Sequence, residues 1–224
     1  GYANSASLKS TSLNEMIPGR TEQIKFVEKY KPKVITLTLG ANNIDFSGKL
    51  RPCILLPTTC DSATSELSSL AGQIQGQYDE LKSLYKALYE ASGKKAKIYV
   101  LGYPLLISDA EPANCGLNTV SLDLTERKMI VEATSYLNTV IEHAANAAGV
   151  KYIDISAALD GGRLCDEGQE YVTGAAFNGS NNEIQETFHP NDFGHIKIAQ
   201  KLEEKVGNQS LMTYDICADT SVAD

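Results

Sequence analysis

The run Lys33-Val34-Ile35-Thr36-Leu37-Thr38-Leu39-Gly40 decides the fold. It is β-branched and apolar past its first residue and stops at a glycine, so it reads as a buried strand. Two more runs share this character: Lys97 to Pro104 (KIYVLGYP) and Val150 to Ile155 (VKYIDI). Segments of helical period separate them. Leu67, Leu70, Ile74, Tyr78, Leu81, Tyr85 and Leu88 recur three or four residues apart, with Gly93 as the stop. Asp123-Leu124-Thr125-Glu126 has the form of a capping box. Behind it Ile130, Thr134, Leu137, Ile141, Ala144 and Ala148 follow one helix face as far as Gly149. A shorter helix near Thr21 to Tyr30 turns Ile24 and Val27 inward, and a last one from near Asn191 carries Ile198, Leu202 and Val206. Strand-helix alternation predicts a parallel sheet with helices on both faces, a three-layer α/β/α domain. The period is lost after Val206, so residues 1–206 read as the domain and 207–224 as a C-terminal tail.

Composition narrows the function. The 224 residues suffice for one α/β domain with a full core. The net charge is -8 and Lys and Arg form no stripe, so nucleic acid is not expected as a partner; the acidity reads as solubility. No apolar run approaches the roughly 18 residues of a membrane span. The sequence starts at Gly1, without Met, so the lack of a leader carries no weight. Five cysteines (Cys53, Cys60, Cys115, Cys165 and Cys217) include no Cys-x-x-Cys pair and give a zinc site no support. Disulfides in a secreted or cell-surface protein are the expectation, against the alternative of reduced cytosolic thiols.

Ligands of such folds bind beyond the carboxyl ends of the strands. Gly40-Ala41-Asn42-Asn43 lies at one such end, where Asn42 reads as an amide donor to an oxyanion or as an ordinary turn residue; Asn43 could equally be the turn residue. Of three histidines, His143 falls within a long helix and His195 at the start of the last one, where capping or packing explains it. His189 is followed by Pro190, which keeps it in an extended loop. A histidine so held reads as a general base near neutral pH or as a structural residue. Glu186, three residues upstream, either orients the imidazole or is a solvated glutamate, in which case a backbone carbonyl could orient the ring.

These segments together resemble the SGNH (GDSL-like) hydrolase family, in its secreted actinobacterial-type esterase/lipase subgroup. Gly40 to Phe46 (GANNIDF) looks like the block written GGNDxxF, Thr187 to His195 (TFHPNDFGH) like the block with the catalytic histidine, and Ala3 to Ser7 (ANSAS) like A-C-S-G-A. The likeness runs on, in order, through VLGYP, the Cys115 region, the following long helix, GVKYIDI and Gly161 to Cys165. It implies a flavodoxin-like sheet and a serine ester hydrolase without metal or organic cofactor. His189 would be the base and Glu186 its orienting carboxylate. Asn42 and the backbone N–H of Ala6 would form the oxyanion hole. It also implies the disulfides Cys53–Cys60 and Cys115–Cys165. Ala6 stands where the family has Gly, and Asn43 where it has Asp. The Gly-Asp-Ser block with the nucleophile is not among the 224 residues, and Ser5 and Ser7 belong to another block. The expectation is therefore that the first strand and its serine belong to a missing N-terminal segment. The substrate expected is a small-molecule or lipid ester. The alternative is a binding module for cell-surface glycan or lipid that has lost catalysis.

Overall fold

A computed structural model describes residues 23–44, 63–110, 115–117, 120–174 and 188–207. In chain order they form α1 (Gln23–Tyr30), β1 (Val34–Leu37), a 3-10 turn (Ala41–Ile44), α2 (Ala63–Ala91), β2 (Lys97–Leu101), β3 (Cys115–Leu117), β4 (Val120–Leu122), α3 (Leu124–Ala148), β5 (Lys151–Ile153), a second 3-10 turn (Ser156–Leu159) and α4 (Asp192–Val206). The strands β1, β2 and β5 make a parallel sheet in the order β1-β2-β5. Ile35 is in register with Ile98 and Leu37 with Val100, while Leu101 on its other side meets Ile153. The short strands β3 and β4 pair antiparallel on their own.

Successive strand residues point to opposite faces, and β2 uses both. Ile98 and Val100 enter a core with Ile74, Leu81, Tyr85 and Leu88 of α2 and Leu137 and Ile141 of α3. Tyr99 and Leu101 turn the other way and, with Ile153 and Ile155, pack against Ile198, Leu202 and Val206 of α4. One apolar strand thus binds a helical layer on each side, the three-layer arrangement expected from the alternation. A third cluster, Ile107, Leu122, Leu159, Leu164 and Val172, sits among the connections and receives Phe188 and Ile198.

The helix signals act locally. Asp123 accepts from the Glu126 N–H at 2.8 Å and Glu126 Oε2 accepts from the Asp123 N–H at 2.9 Å, which completes the capping box. Gly149, at φ 74°, ends α3 in the left-handed region. Past the end of α2 the N–H groups of Gly93 and Lys94 return to the carbonyls of Glu90 and Tyr89. At the head of α3, Arg127 is fully buried, and its guanidinium donates to the carbonyls of Ser108 (2.8 Å) and Ala110 (3.1 Å). No described helix is long and apolar enough to cross a membrane.

β1 departs from the buried strand read in its sequence. Its side chains alternate, with Ile35 and Leu37 half-buried against the α2–α3 layer and Val34 and Thr36 exposed. The cause is its position. Among the described residues β1 pairs on one side only, with β2, and the helix that covers the second face, α4, packs on β2 and β5. Two substitutions check this. Leu81→Ala, in the fully buried layer, is expected to lower the unfolding free energy by roughly 2–5 kcal/mol. Val34→Ala, at a side chain 38% exposed, is expected to stay within about 1 kcal/mol, both read from urea midpoints at constant slope.

Candidate active site

The turn after β1 carries Asn42. Gly40 enters it at φ 133°, a conformation that side chains disfavour, and the Asn43 N–H closes it on the Gly40 carbonyl at 3.1 Å. Asn42 itself is exposed. The first N–H of the turn, that of Ala41, donates to the phenol oxygen of Tyr103 at 3.1 Å. Tyr103 lies just past the end of β2 and is in turn held by Asn138 of α3. The Tyr103 N–H donates to Asn138 Oδ1 at 2.6 Å, and Asn138 Nδ2 donates to the Tyr103 carbonyl at 2.8 Å. Asn138 is buried, and so is Gly102, where a Cβ would run into the Tyr152 hydroxyl and the Asn138 amide. Burial pushes the Tyr103 phenol up to about 12, against a smaller opposing effect from the Ala41 N–H. Burial also raises Tyr85 and Tyr152, the first helped by its two tyrosine neighbours and the second by Asp154 and Glu142.

His189 sits in the loop that feeds α4, half-buried. Its carbonyl accepts from the Thr173 N–H at 2.9 Å, and the Thr173 carbonyl accepts from the Phe188 N–H at 2.9 Å. Val172 and Pro190 form an antiparallel bridge. Asn191 then caps α4, accepting from the Gly194 N–H at 3.0 Å and donating to the Glu170 carbonyl at 2.9 Å. Phe188 has φ 59°, in the left-handed region, at a cost of order 1–3 kcal/mol for such a side chain. The pairing with Thr173 and the packing of its ring in the third cluster hold it there. Gly194 touches the Tyr171 carbonyl so closely that no Cβ fits. The residue before His189 and the one four residues after its Pro190 are therefore both set by strand-like contact with residues 170–173.

That segment is itself tied to the strand exits. The Tyr171 N–H donates to Gly162 (2.7 Å) and the Gly162 N–H to Leu159 (3.0 Å). Leu105 donates to Ser156 (3.0 Å), Ser108 to Leu164 (2.8 Å) and Leu164 to Leu106 (2.9 Å), joining the connection after β2 to that after β5. Asp166 organises the intervening loop by accepting from the N–H groups of Gly161 (3.1 Å) and Arg163 (3.0 Å) and from the Arg163 guanidinium (3.0 Å). Burial alone would raise its pKa. Hydrogen bonds from Arg163 and Ser108 outweigh that and hold the carboxyl below the ordinary carboxylate range.

Asn42 thus stands on the connection after β1, and His189 on a connection tied through residues 171–173 and 162 to the one after β5; ligands in this architecture bind at such strand ends. Ala6, Glu186, Cys53 and Cys60 lie outside the described residues. His143 is exposed on α3, as expected. His195 is exposed in the first turn of α4, where Asn191 and not His195 is the cap. A shallow groove of about 550 Å³ between α2 and α3, lined in part by Tyr78, Asp79, Tyr136 and His143, includes neither Asn42 nor His189. Tyr103 falls in the VLGYP segment that shares the family likeness, but neither it nor Asn138 carries a sequence signal for what it holds, which the pairing of β1 with β2 reveals.

Residues 4–196 match the GDSL-like lipase/acylhydrolase family, and the chain belongs to it. It is 27% identical over 169 residues to Lipase 1 of Streptomyces coelicolor, covering 72% of this chain and 55% of that protein. Lipase 2 of the same organism is 25% identical over 183 residues, covering 78% and 60%. The chain therefore spans little more than half the length of these curated relatives. Among solved structures, phospholipase A1 from Streptomyces albidoflavus NA297 matches with a TM-score of 0.63 at 21% identity, over 91% of this chain and 76% of that one. An extracellular lipase from Streptomyces rimosus matches at 0.55 and 20%, over 75% and 68%. Both show the α/β fold.

The depressed Asp166 pKa links this loop to acid. Such a carboxylate stabilises the fold fully above its unfolded pKa, about 3.9, and the contribution is lost as pH falls through the lower folded value. Asp166→Asn is expected to lower the urea midpoint at pH 7 and pH 5 alike. The gap to the parent protein should close below about pH 4.

Proposed function

We propose that the protein is a secreted serine ester hydrolase that cleaves carboxylic esters, lipid esters foremost, through an acyl-enzyme. The observation that carries this reading is the family match over residues 4–196, combined with an asparagine on the connection after β1 and a histidine on one tied to the connection after β5. The Oγ of a nucleophilic serine attacks the ester carbonyl carbon while His189 takes its proton. The Asn42 amide and the Ala6 N–H hold the oxygen of the tetrahedral intermediate. The intermediate collapses, and the alcohol leaves with the proton from His189. Water, deprotonated by His189, then attacks the acyl carbonyl carbon; the ester bond to the serine breaks, His189 returns the proton to the serine oxygen, and the acid leaves. Glu186 or a backbone carbonyl keeps the imidazole in the required tautomer. The lipase and phospholipase names of the relatives favour lipid esters within the class.

Secretion is supported by the extracellular relative, and a disulfide at Cys165 fits that reading. We assign Cys115, at the start of β3, as its partner, with Cys53–Cys60 as a second bridge. Peptide mapping without reductant is expected to recover both pairs. A bridge closing the roughly 50-residue loop stabilises by about 4 kcal/mol in the chain-entropy account. Cys53 joined to Cys165 would contradict the assignment.

The function is tested in the full-length protein. A fluorophosphonate is expected to label one serine. His189→Ala is expected to cut hydrolysis of p-nitrophenyl esters by about 10³-fold or more, with the fold retained. His195→Ala should leave turnover near that of the parent. Failure to label any serine, or full activity of the His189 variant, would overturn the assignment. Lipid binding without turnover would favour a binding module.

A further inference from the structure

We infer that Tyr103 is a positioning residue for the oxyanion donor Asn42, acting through the hydrogen bond that its phenol oxygen accepts from the Ala41 N–H. The inference rests on the reading of Asn42 given above and adds the element that would make that residue effective.

Asn42 is the second residue of a four-residue 3-10 turn. A single turn of this kind has almost no stability of its own, because one hydrogen bond fixes several dihedrals. The first N–H groups of any helical turn also lack acceptors within the turn. In this chain the Ala41 N–H finds its acceptor 62 residues away, on Tyr103, at 3.1 Å. Everything behind that phenol is rigid. Its backbone is gripped at both N–H and carbonyl by Asn138, at 2.6 and 2.8 Å. Asn138 is buried in α3, the helix that packs closely along α2. Gly102 leaves no room for a side chain beside the Asn138 amide. The turn is thus fixed at one end by Gly40 and β1 and at the other by the Ile44 side chain in the core, with the phenol bond between them. An oxyanion donor works by being in place before charge develops, and displacement by a fraction of an ångström lowers its contribution. Burial suppresses the acidity of the phenol, whose oxygen faces the Ala41 N–H as an acceptor.

The class of group matters. Phenylalanine would fill the same space and keep the packing against the core, but it offers no acceptor to the Ala41 N–H. Tyr103→Phe therefore isolates the hydrogen bond. In the full-length enzyme it is expected to lower kcat about tenfold on p-nitrophenyl esters while KM stays within about twofold, the pattern of an interaction felt only in the transition state. A purely structural role would lower the thermal midpoint and leave kcat per folded molecule unchanged.

The decisive experiment is the double-mutant cycle of Tyr103→Phe with Asn42→Ala, read as kcat per folded molecule. Asn42→Ala alone is expected to cost about 10²–10³-fold. If Tyr103 acts through Asn42, adding Tyr103→Phe should cost less than about twofold more. Two losses that multiply would overturn the inference and leave the oxyanion assignment standing. A silent Asn42→Ala would overturn both. Amide hydrogen exchange provides a reading independent of activity. The Ala41 N–H should exchange at least roughly tenfold faster in Tyr103→Phe, with the amides of α3 unchanged. Equal Ala41 exchange in the two proteins would also overturn the inference.

Discussion

The buried amide of Asn138 is the contact on which the geometry of the strand exits depends. Side-chain amides in cores are uncommon, since each unpaired donor or acceptor costs about 1–3 kcal/mol. Asn138 is acceptable because its oxygen and its nitrogen both meet one backbone unit, that of Tyr103. The outcome is directional in a way that a leucine at this position could not be. Hydrophobic contact holds α3 near β2 but tolerates sliding, whereas two opposed hydrogen bonds to a single residue's backbone set the chain where β2 ends. From that point the phenol reaches the turn after β1, and the carbonyls of Ser156 and Leu164 take up the N–H groups of Leu105 and Ser108. A similar economy appears at Arg127, whose buried guanidinium holds two carbonyls of the same connection.

The connection before α4 is organised on a different principle. Among the described residues it is held edge to edge, as a short β-like contact between residues 171–173 and 188–191. Such contacts specify backbone direction closely but demand compatible dihedrals, and Phe188 meets that demand by adopting a conformation usually left to glycine. The bulky ring is what makes this tenable, because its burial with Leu159, Leu164 and Val172 offsets the local cost. Asn42 and His189 are thus presented by unlike devices, a phenol tether and a strained strand end, on one frame.

Much of the fold was legible in the sequence because its signals are local. The capping box at Asp123, the left-handed stop at Gly149, the cap at Asn191 and the inward faces of α1 to α4 depend on residues within a turn or two of one another. What escaped the reading depends on partners far along the chain. β1 looked like an interior strand because β-branched composition does not reveal how many neighbours a strand has. The β3–β4 pair went unread, since two strands of three residues are too short for alternation to register. Arg127 in an otherwise polar stretch suggests solvent, not the core. His189 and Asn42 could be picked out by their punctuation, proline on one side and glycine on the other. Tyr103 and Asn138 could not, because the residues they serve lie 62 and 35 positions away.

The tyrosines behind the sheet couple this architecture to hydroxide. In the unfolded chain a phenol ionises near pH 10. In the folded protein Tyr85 and Tyr103 hold their protons to higher pH, because neither phenolate can be solvated where it sits. Their stabilising contribution is complete below about pH 10 and drains away as pH climbs toward the folded values, at roughly 1.4 kcal/mol per pH unit for each proton released on opening. Both rings pack in or against the core shared by α2, α3 and the sheet, so charging either one works against that core. Alkali thereby acts on the fold from within, partly through the same phenol that tethers the turn beside Asn42.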